Sequence, residues 1–544
     1  MAKAVNKLQN IVLRKGVHVG APAAEDDQQL LMECFIELAS YEQIRDINSS
    51  KCVLLGRTGS GKSALLLRLE EEEEGCIRLD PKEFAFSYIS NSNVLSYVME
   101  LGCDLHLLFE FLWKHVLLCK MVKVYFKERN KFQAAFDLVF ARKNPAIKYL
   151  QTFEDKFWIE QDIVVKEISQ GFESTINSEL RGVLGADFAK IEAGAGGELT
   201  ISSAQRKQIE FRVKRAVSQI QMKELSSAVS GLDTIISDRA KRYYILVDDL
   251  DGDWSETPIK YQMIRSLVES IKGLRKIRNI KAIVALRSDV YEKSIVVHRG
   301  DGYQPEKYEG LIVEIRWSSG ELRSLIDRRI TAVFRHQYTK ENVRFSDVFP
   351  AHVRKQDSFQ FLIDRTQLRP RDIIAFVNSV LEQSSGSNSI SEKRILETEG
   401  EYSRKRYDAL RREWELVHPN IDIYLRFLIG RTGTFLLKDI AVKEIIDDIC
   451  VELEARTHEP PDEVEEQSRR YFKRQLDRRI SDIARALLAT LYKIGAIELK
   501  LAKGDFFKSC FRNETTVLAE QISDDAAVRV VPMLWRTLGI TPNI

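Results

Sequence analysis

A chain of 544 residues, with 44% hydrophobic and 30% charged side chains, exceeds a single core of ~150 residues and is too apolar for disorder, so two to four globular domains are expected. Its 82 basic and 80 acidic residues leave a formal net charge of +2, which excludes a polyanion-binding character spread over the whole surface and leaves only local clusters to consider. The seven cysteines are scattered and form no C-x-x-C pair, which argues against a thiolate zinc site and for a reducing, cytoplasmic compartment.

Residues 1–20 carry Lys3, Lys7, Arg14 and Lys15 and no long apolar run, so no secretory leader is expected. Glu25 to Ile44 alternates acidic and apolar residues at helical spacing and is expected to pack beside the strand that follows. That strand is the apolar run Cys52–Leu55, and it leads into Gly56-Arg57-Thr58-Gly59-Ser60-Gly61-Lys62-Ser63 and then Ala64–Leu67. Strand, glycine-rich loop and helix in this order satisfy every fixed position of the phosphate-binding P-loop. The glycines let the backbone curl with its N–H groups inward, where a Cβ would obstruct the turn, so Gly56, Thr58, Gly59, Ser60 and Gly61 form an anion nest. Lys62 is expected to reach the β- and γ-phosphates of ATP, and Ser63 to ligate Mg2+.

The five consecutive glutamates Glu70–Glu74 read as a solvated helix face. Ile77–Leu79 and Phe86–Ile89 are short strand candidates, and residues 94–236 are helical in pattern apart from the glycine turn Ala193–Gly197. Within them Leu107–Phe126 is the most apolar window, but Glu110, Lys114, His115, Lys120 and Lys123 interrupt it. It reads as an amphipathic helix, with no membrane span expected.

Tyr243–Asp251 is a β-rich run that ends in acids, as the second half of a P-loop site requires. Asp248 can hold the Mg2+ water shell where the strand emerges. Asp249 is the candidate general base, with Asp251 as the alternative. Ala282–Leu286 is a third buried strand that ends in Arg287-Ser288-Asp289. If it lies between the two motif strands, Arg287 or Ser288 sits where a sensor of the γ-phosphate belongs; either could equally be a strand cap. Leu311–Ile315 closes the sheet, followed by Trp317 and the helix Glu321–Arg335, in which Arg328 and Arg329 are candidate arginine fingers. Leu368-Arg369-Pro370-Arg371 opens a further helix, from which Arg371 could reach nucleotide phosphates or simply face solvent.

Gln383–Ser391 reads as a linker, and His458–Asp462 as a second one. Basic stretches follow at Arg404–Arg406 and Arg411-Arg412, and at Arg469, Arg470, Lys473, Arg474, Arg478, Arg479 and Arg485. The tail reads as helix Ile480–Ile494, strand Ala496–Leu501, a turn at Lys503–Asp505 and strand Phe506–Phe511, which is the ending of a winged helix. No metalloprotease, zinc or nucleophile-elbow motif occurs, and single histidines such as His298 and His418 read as surface or packing residues.

The P-loop paired with Ile245-Leu246-Val247-Asp248-Asp249-Leu250-Asp251 resembles the STAND and KAP branches of the AAA+-related P-loop ATPases. Leu286–Asp289, Arg369–Ile374, Leu112–His115 and Pro532–Arg536 are similar to segments of bacterial stand-alone ATPases close to those branches. The resemblance implies nucleotide and Mg2+ roles for Lys62, Ser63, Asp248 and Asp249, a sensor role for Arg287 and a lid role for Arg371. Lys62 and Asp248 lie 186 positions apart (248 − 62), so a helical insertion must fill the gap.

The fold class expected is an α/β P-loop NTPase with a parallel, additional-strand sheet, a large α-helical insertion, a helical lid and a C-terminal winged-helix-like domain. The segments are 1–93 (first part of the ATPase core), 94–236 (insertion), 237–335 (remainder of the core), 336–385 (lid) and 392–544 (C-terminal domain). The function expected is an ATPase switch that acts on a separately encoded protein partner or effector, with homo-oligomerisation open; the resemblance adds bacterial phage defence. The alternatives are a DNA-associated motor that uses the basic C-terminal helices, and a scaffold that binds nucleotide without turning it over.

Overall fold

The computed structural model describes residues 12–81, 89, 91–126, 143–151, 161–196, 199–219, 222–236, 241–250, 252, 258–297, 306–456, 458, 461–473, 480–512 and 516–542. All of the expected strand Phe86–Ile89 except Ile89, and the residues Asp251, His298, Arg474, Arg478 and Arg479, lie outside them. The chain divides into two compact units, one of Glu37–Arg57 with Lys62–Ile315, the other of Met1–Ile36, Thr58–Gly61 and Arg316–Ile544.

The first unit is built on a parallel sheet of β1 (Val53–Gly56), β2 (Cys76–Leu79), β3 (Tyr243–Val247), β4 (Ile280–Arg287) and β5 (Ile312–Glu314), in the order β2-β3-β4-β1-β5. β4 therefore separates the P-loop strand from the acidic strand, as expected of the additional-strand class. The three central strands are near-continuous apolar runs because both faces of a parallel sheet are covered. Seven α-helices among the described residues lie between β2 and β3, from Asn93–Glu100 to Met222–Ile235. They do not form a core of their own: Phe109, Trp113 and Val116 share one apolar cluster with Val53, Val247 and Val284.

The helix His106–Phe126, read from sequence as amphipathic, is buried on most of its circumference. A helix apolar nearly all round belongs inside a protein. It packs on the helix Pro258–Leu274, where Trp113 Nε1 donates to the Met263 carbonyl at 2.8 Å and the small side chains Ser266 and Ser270 face it. The segment Glu25–Ile44 is two helices rather than one. Gln28–Glu33 packs on the helix Ser319–Gln337, and Ala39–Arg45 packs on β5.

The second unit is mainly helical. It contains the helices Ser319–Gln337, Pro370–Gln383 and Glu392–Trp414, and a two-residue hairpin of β6 (His352–Val353) and β7 (Gln356–Asp357). The expected linker Gln383–Ser391 is a turn, because the helices on either side of it pack together and Leu13 pairs with Gly386 and Ser387. Beyond it, β8 (Thr434–Leu436), β9 (Ile497–Lys500) and β10 (Ala527–Val530) form an antiparallel sheet in the order β8-β10-β9. The strand expected at Phe506–Phe511 is corrected: β9 pairs along its length with β10, and only a single bridge links Leu499 to Lys508. Ala527-Val528-Arg529-Val530 alternates inward and outward as a half-buried strand must, whereas Phe506–Phe511 does not. The helix Ile480–Lys493 packs its apolar face on this sheet.

Candidate functional site

β1, β3 and β4 end side by side, which brings their carboxyl-terminal residues to one sheet edge. Gly56 stands opposite Arg287, and the helix Lys62–Glu72 starts at the lysine of the motif. Lys62 Nζ turns back on its own loop and donates to the carbonyls of Gly56 at 2.9 Å and Arg57 at 3.3 Å. Asp248, just beyond β3, is buried, and the Ser63 hydroxyl is close enough to stabilise its charged form. The two expected Mg2+ ligands, 185 positions apart (248 − 63), are thus brought near each other. Burial raises the Asp248 pKa, while the Asp249 amide, Arg78, Ser63 and Lys62 pull it down.

Asp249 is exposed and holds a left-handed backbone at φ 56°. Arg287 is pinned as a fork on Asp289, with Nε to Oδ1 at 2.9 Å and Nη2 to Oδ2 at 2.8 Å, and Asp289 is itself buried. Its guanidinium therefore has a fixed position at the strand end, and Ser288 starts the short helix that follows.

Arg78 is a residue that sequence reasoning passed over. It lies on β2, its Nη2 is 3.5 Å from Glu70 Oε2, and its charge partly offsets the burial that raises the pKa of both Glu70 and Asp248. The run Glu70–Glu74 is correspondingly not a plain solvated face. Glu72 takes the Tyr41 hydroxyl at 2.7 Å and Arg68 at 2.7 Å, while Arg45 approaches Glu72 and Glu73.

The crest of the loop, Thr58–Gly61, belongs to the second unit. Gly59 at φ 77° and Gly61 at φ 102° need the freedom of glycine, and a Cβ on Gly59 would lie 2.6 Å from the Arg371 Cβ. Arg371 therefore lies against the loop, its amide donating to the Gly59 carbonyl at 3.3 Å. Trp317 Nε1 donates to the Ser60 carbonyl at 2.8 Å. Arg369, which the sequence reading left without a role, donates from Nη1 to the Thr58 carbonyl at 2.8 Å and to Glu413 Oε2 at 2.9 Å. Pro370 in the first helical turn and the left-handed Leu368, at φ 52°, set the direction from which Arg369 leaves the chain. Thr58 Oγ1 and Ser60 Oγ are buried without a hydrogen-bond partner among the described residues.

The candidate fingers are committed elsewhere. Arg329 is buried and donates to Val19 and Asp27, and Arg328 donates to the Phe35 carbonyl. Of the basic C-terminal residues, Arg406 pairs with Asp372, Arg470 with Glu466, Arg485 with Asp482 and Asp524, and Arg512 with Asp364. His418 is buried against Asp462 at 3.0 Å, a packing role. No helix among the described residues is long and apolar enough to cross a membrane.

Residues 320–411 match the FunZ-associated C-terminal helical domain, a stretch that includes Arg369 and Arg371 and stops just short of Glu413. Over 414 residues the chain is 20% identical to a transposon gamma-delta 80.3 kDa protein of Escherichia coli (strain K12), across 74% of this chain and 52% of that protein. The chain thus spans about half the length of this curated relative. A structural alignment with a Walker-type ATPase of Pyrococcus abyssi covers 92% of this chain and 98% of the other, at 12% identity and a TM-score of 0.35.

Proposed function

We propose that this chain binds and hydrolyses Mg-ATP and acts as a switch, its cycle governing assembly with, or signalling to, a separately encoded protein partner. The observation that carries the reading is the nearness of Ser63 and Asp248, one from each motif, at the carboxyl edge of an additional-strand parallel sheet. A hydroxyl and a carboxylate from the two motifs meet where a hard cation with few protein ligands is held. The orphaned hydroxyls of Thr58 and Ser60, with the glycine crest between them, fit an acceptor-rich polyphosphate. Bound Mg2+ would neutralise charge developing on the transferred phosphoryl group.

Lys62 would exchange the Gly56 and Arg57 carbonyls for phosphate oxygens. Asp249, exposed beside Asp248, would orient a water and accept its proton. Arg287, held by Asp289, would read the γ-phosphate, and Arg371 would add positive charge from beside Gly59. Kinship with the STAND and KAP branches, self-association and a task in phage defence belong to the same proposal.

A second reading is a DNA-associated ATPase. The connectivity supports it: a strand β8, the helices Lys443–Glu454, Glu463–Phe472 and Ile480–Lys493, then β9 and β10 with β10 central, resembles a winged helix with one helix added. The acids that face Arg470, Arg485 and Arg512 weigh against a bare basic surface.

The test is ATP turnover by the full chain, beside Lys62→Ala and Asp249→Asn, with and without double-stranded DNA. Turnover that falls at least roughly 100-fold in both variants is expected. Nucleotide binding without turnover in any condition would leave a scaffold, and stimulation by DNA would move the second reading ahead.

A further inference from the structure

The amide and the carbonyl of Thr58 are both taken by one buried ion pair. Glu413 Oε1 accepts from the Thr58 amide at 3.3 Å, Glu413 Oε2 takes Arg369 Nη1 at 2.9 Å, and the same Nη1 reaches the Thr58 carbonyl at 2.8 Å. The side chain of Glu413 is 4% exposed and that of Arg369 is 10% exposed, so the pair is withdrawn from water, with Asp372 3.7 Å from Arg369 as a second carboxylate. A carboxylate that accepts from a loop amide and from a guanidinium does chemically what a phosphate oxygen does in a P-loop.

Resting on the reading of the loop as a nucleotide site, we propose that Glu413 is an internal competitor of the nucleotide phosphate. It occupies a donor of the loop and the charge of Arg369, and an incoming phosphate displaces it and takes over Arg369. The competition has a mechanical output because of where Glu413 sits. It lies near the end of the helix Glu392–Trp414, whose Ser403 donates to the Met533 carbonyl at 2.7 Å and whose Glu399 pairs with Arg536 at 3.1 Å. Displacing Glu413 thus loosens the end of the helix that carries the C-terminal contacts.

The opposite role, Glu413 as a brace that preorganises the loop, predicts the opposite sign, so binding affinity decides. Glu413→Gln keeps an acceptor for the Thr58 amide and removes the charge. Calorimetric titration of the full-length protein with Mg-ATPγS is expected to give binding roughly tenfold tighter in Glu413→Gln than in wild type. Lys62→Ala is expected to lose binding. Unchanged or weaker binding in Glu413→Gln, with wild type binding and Lys62→Ala not, overturns the competitor while the P-loop reading stands. No binding by wild type or by Glu413→Gln overturns both. Should Glu413→Gln fail to fold, hydrogen exchange of wild type decides. Mg-ATPγS is expected to raise exchange in the last turns of Glu392–Trp414, and unchanged or lowered exchange there overturns the proposal.

Discussion

The two units reach stability by different chemistry. In the sheet-bearing unit one apolar cluster joins the insertion helices to the strands, with Trp113 and Phe109 fully enclosed. In the other unit the helix Glu392–Trp414 is set by charges: Glu399 between Arg365 and Arg536, Arg406 on Asp372, and Glu413 on Arg369. Apolar burial is proportional to area and indifferent to direction, whereas a buried ion pair tolerates one geometry. The first arrangement gives the nucleotide motifs a rigid floor. The second gives a helix whose position depends on which anion faces which guanidinium.

The largest effects should separate the two. Trp113→Ala removes a fully buried indole and leaves the Met263 carbonyl without its donor, and should cost about 3–5 kcal/mol in urea denaturation. A cost below ~1 kcal/mol would mean that the insertion does not share the core. Glu399→Ala leaves Arg365 uncompensated inside the protein and should also cost about 3–5 kcal/mol. The double change Arg365→Met with Glu399→Leu should restore most of that loss, because only an unpaired charge is expensive. An equal loss in the double variant would show that the site depends on packing, as Trp113 does.

What could be read from the sequence follows the same division. The P-loop, the acidic strand and the strand between them are local patterns, and the sheet assembles them as the motifs require. The insertion helix was legible as a helix, but its charged interruptions suggested a solvated face. Its burial became visible only once the partner helix Pro258–Leu274 was placed. Glu413 left no readable signal, since 355 positions separate it from the Thr58 amide and it belongs to no motif, while in the segment Arg369–Ile374 the reading fell on Arg371 rather than on Arg369. The strand β10 was hidden for a related reason, because the hairpin rule favours the nearest candidate and β9 skips it for Ala527–Val530.

A pH difference should distinguish the units next. His115 is enclosed in the apolar cluster between Tyr149 and Cys119, and burial pushes its pKa down to about 4 from 6.5. Between these values the unfolded chain binds the proton and the folded unit refuses it. The contribution is therefore intact above pH 6.5 and is lost as the pH falls toward 4. Relative to His115→Phe, wild type should lose on the order of 3 kcal/mol across that window, followed by denaturation at several pH values. Parallel pH profiles for the two proteins would place a charge partner near His115 and break the picture of a purely apolar unit.

The smallest effect concerns the β6–β7 hairpin, where Arg354 and Lys355 occupy both turn positions with φ 48° and 66°. Such a two-residue turn favours Asn-Gly, because an L side chain in the left-handed region crowds its own carbonyl. Nothing in the sequence announced a hairpin here, and its position is imposed from outside by Glu392, whose carboxylate takes the Arg354 amide at 2.8 Å. Arg354→Asn with Lys355→Gly keeps that amide and removes two exposed side chains, so relief of backbone crowding should exceed the added entropy of glycine. A gain of about 1 kcal/mol in urea denaturation is expected. A loss instead would mean that the arginine and lysine side chains themselves hold the turn, extending the rule of directed charge from the interior of this unit to its surface.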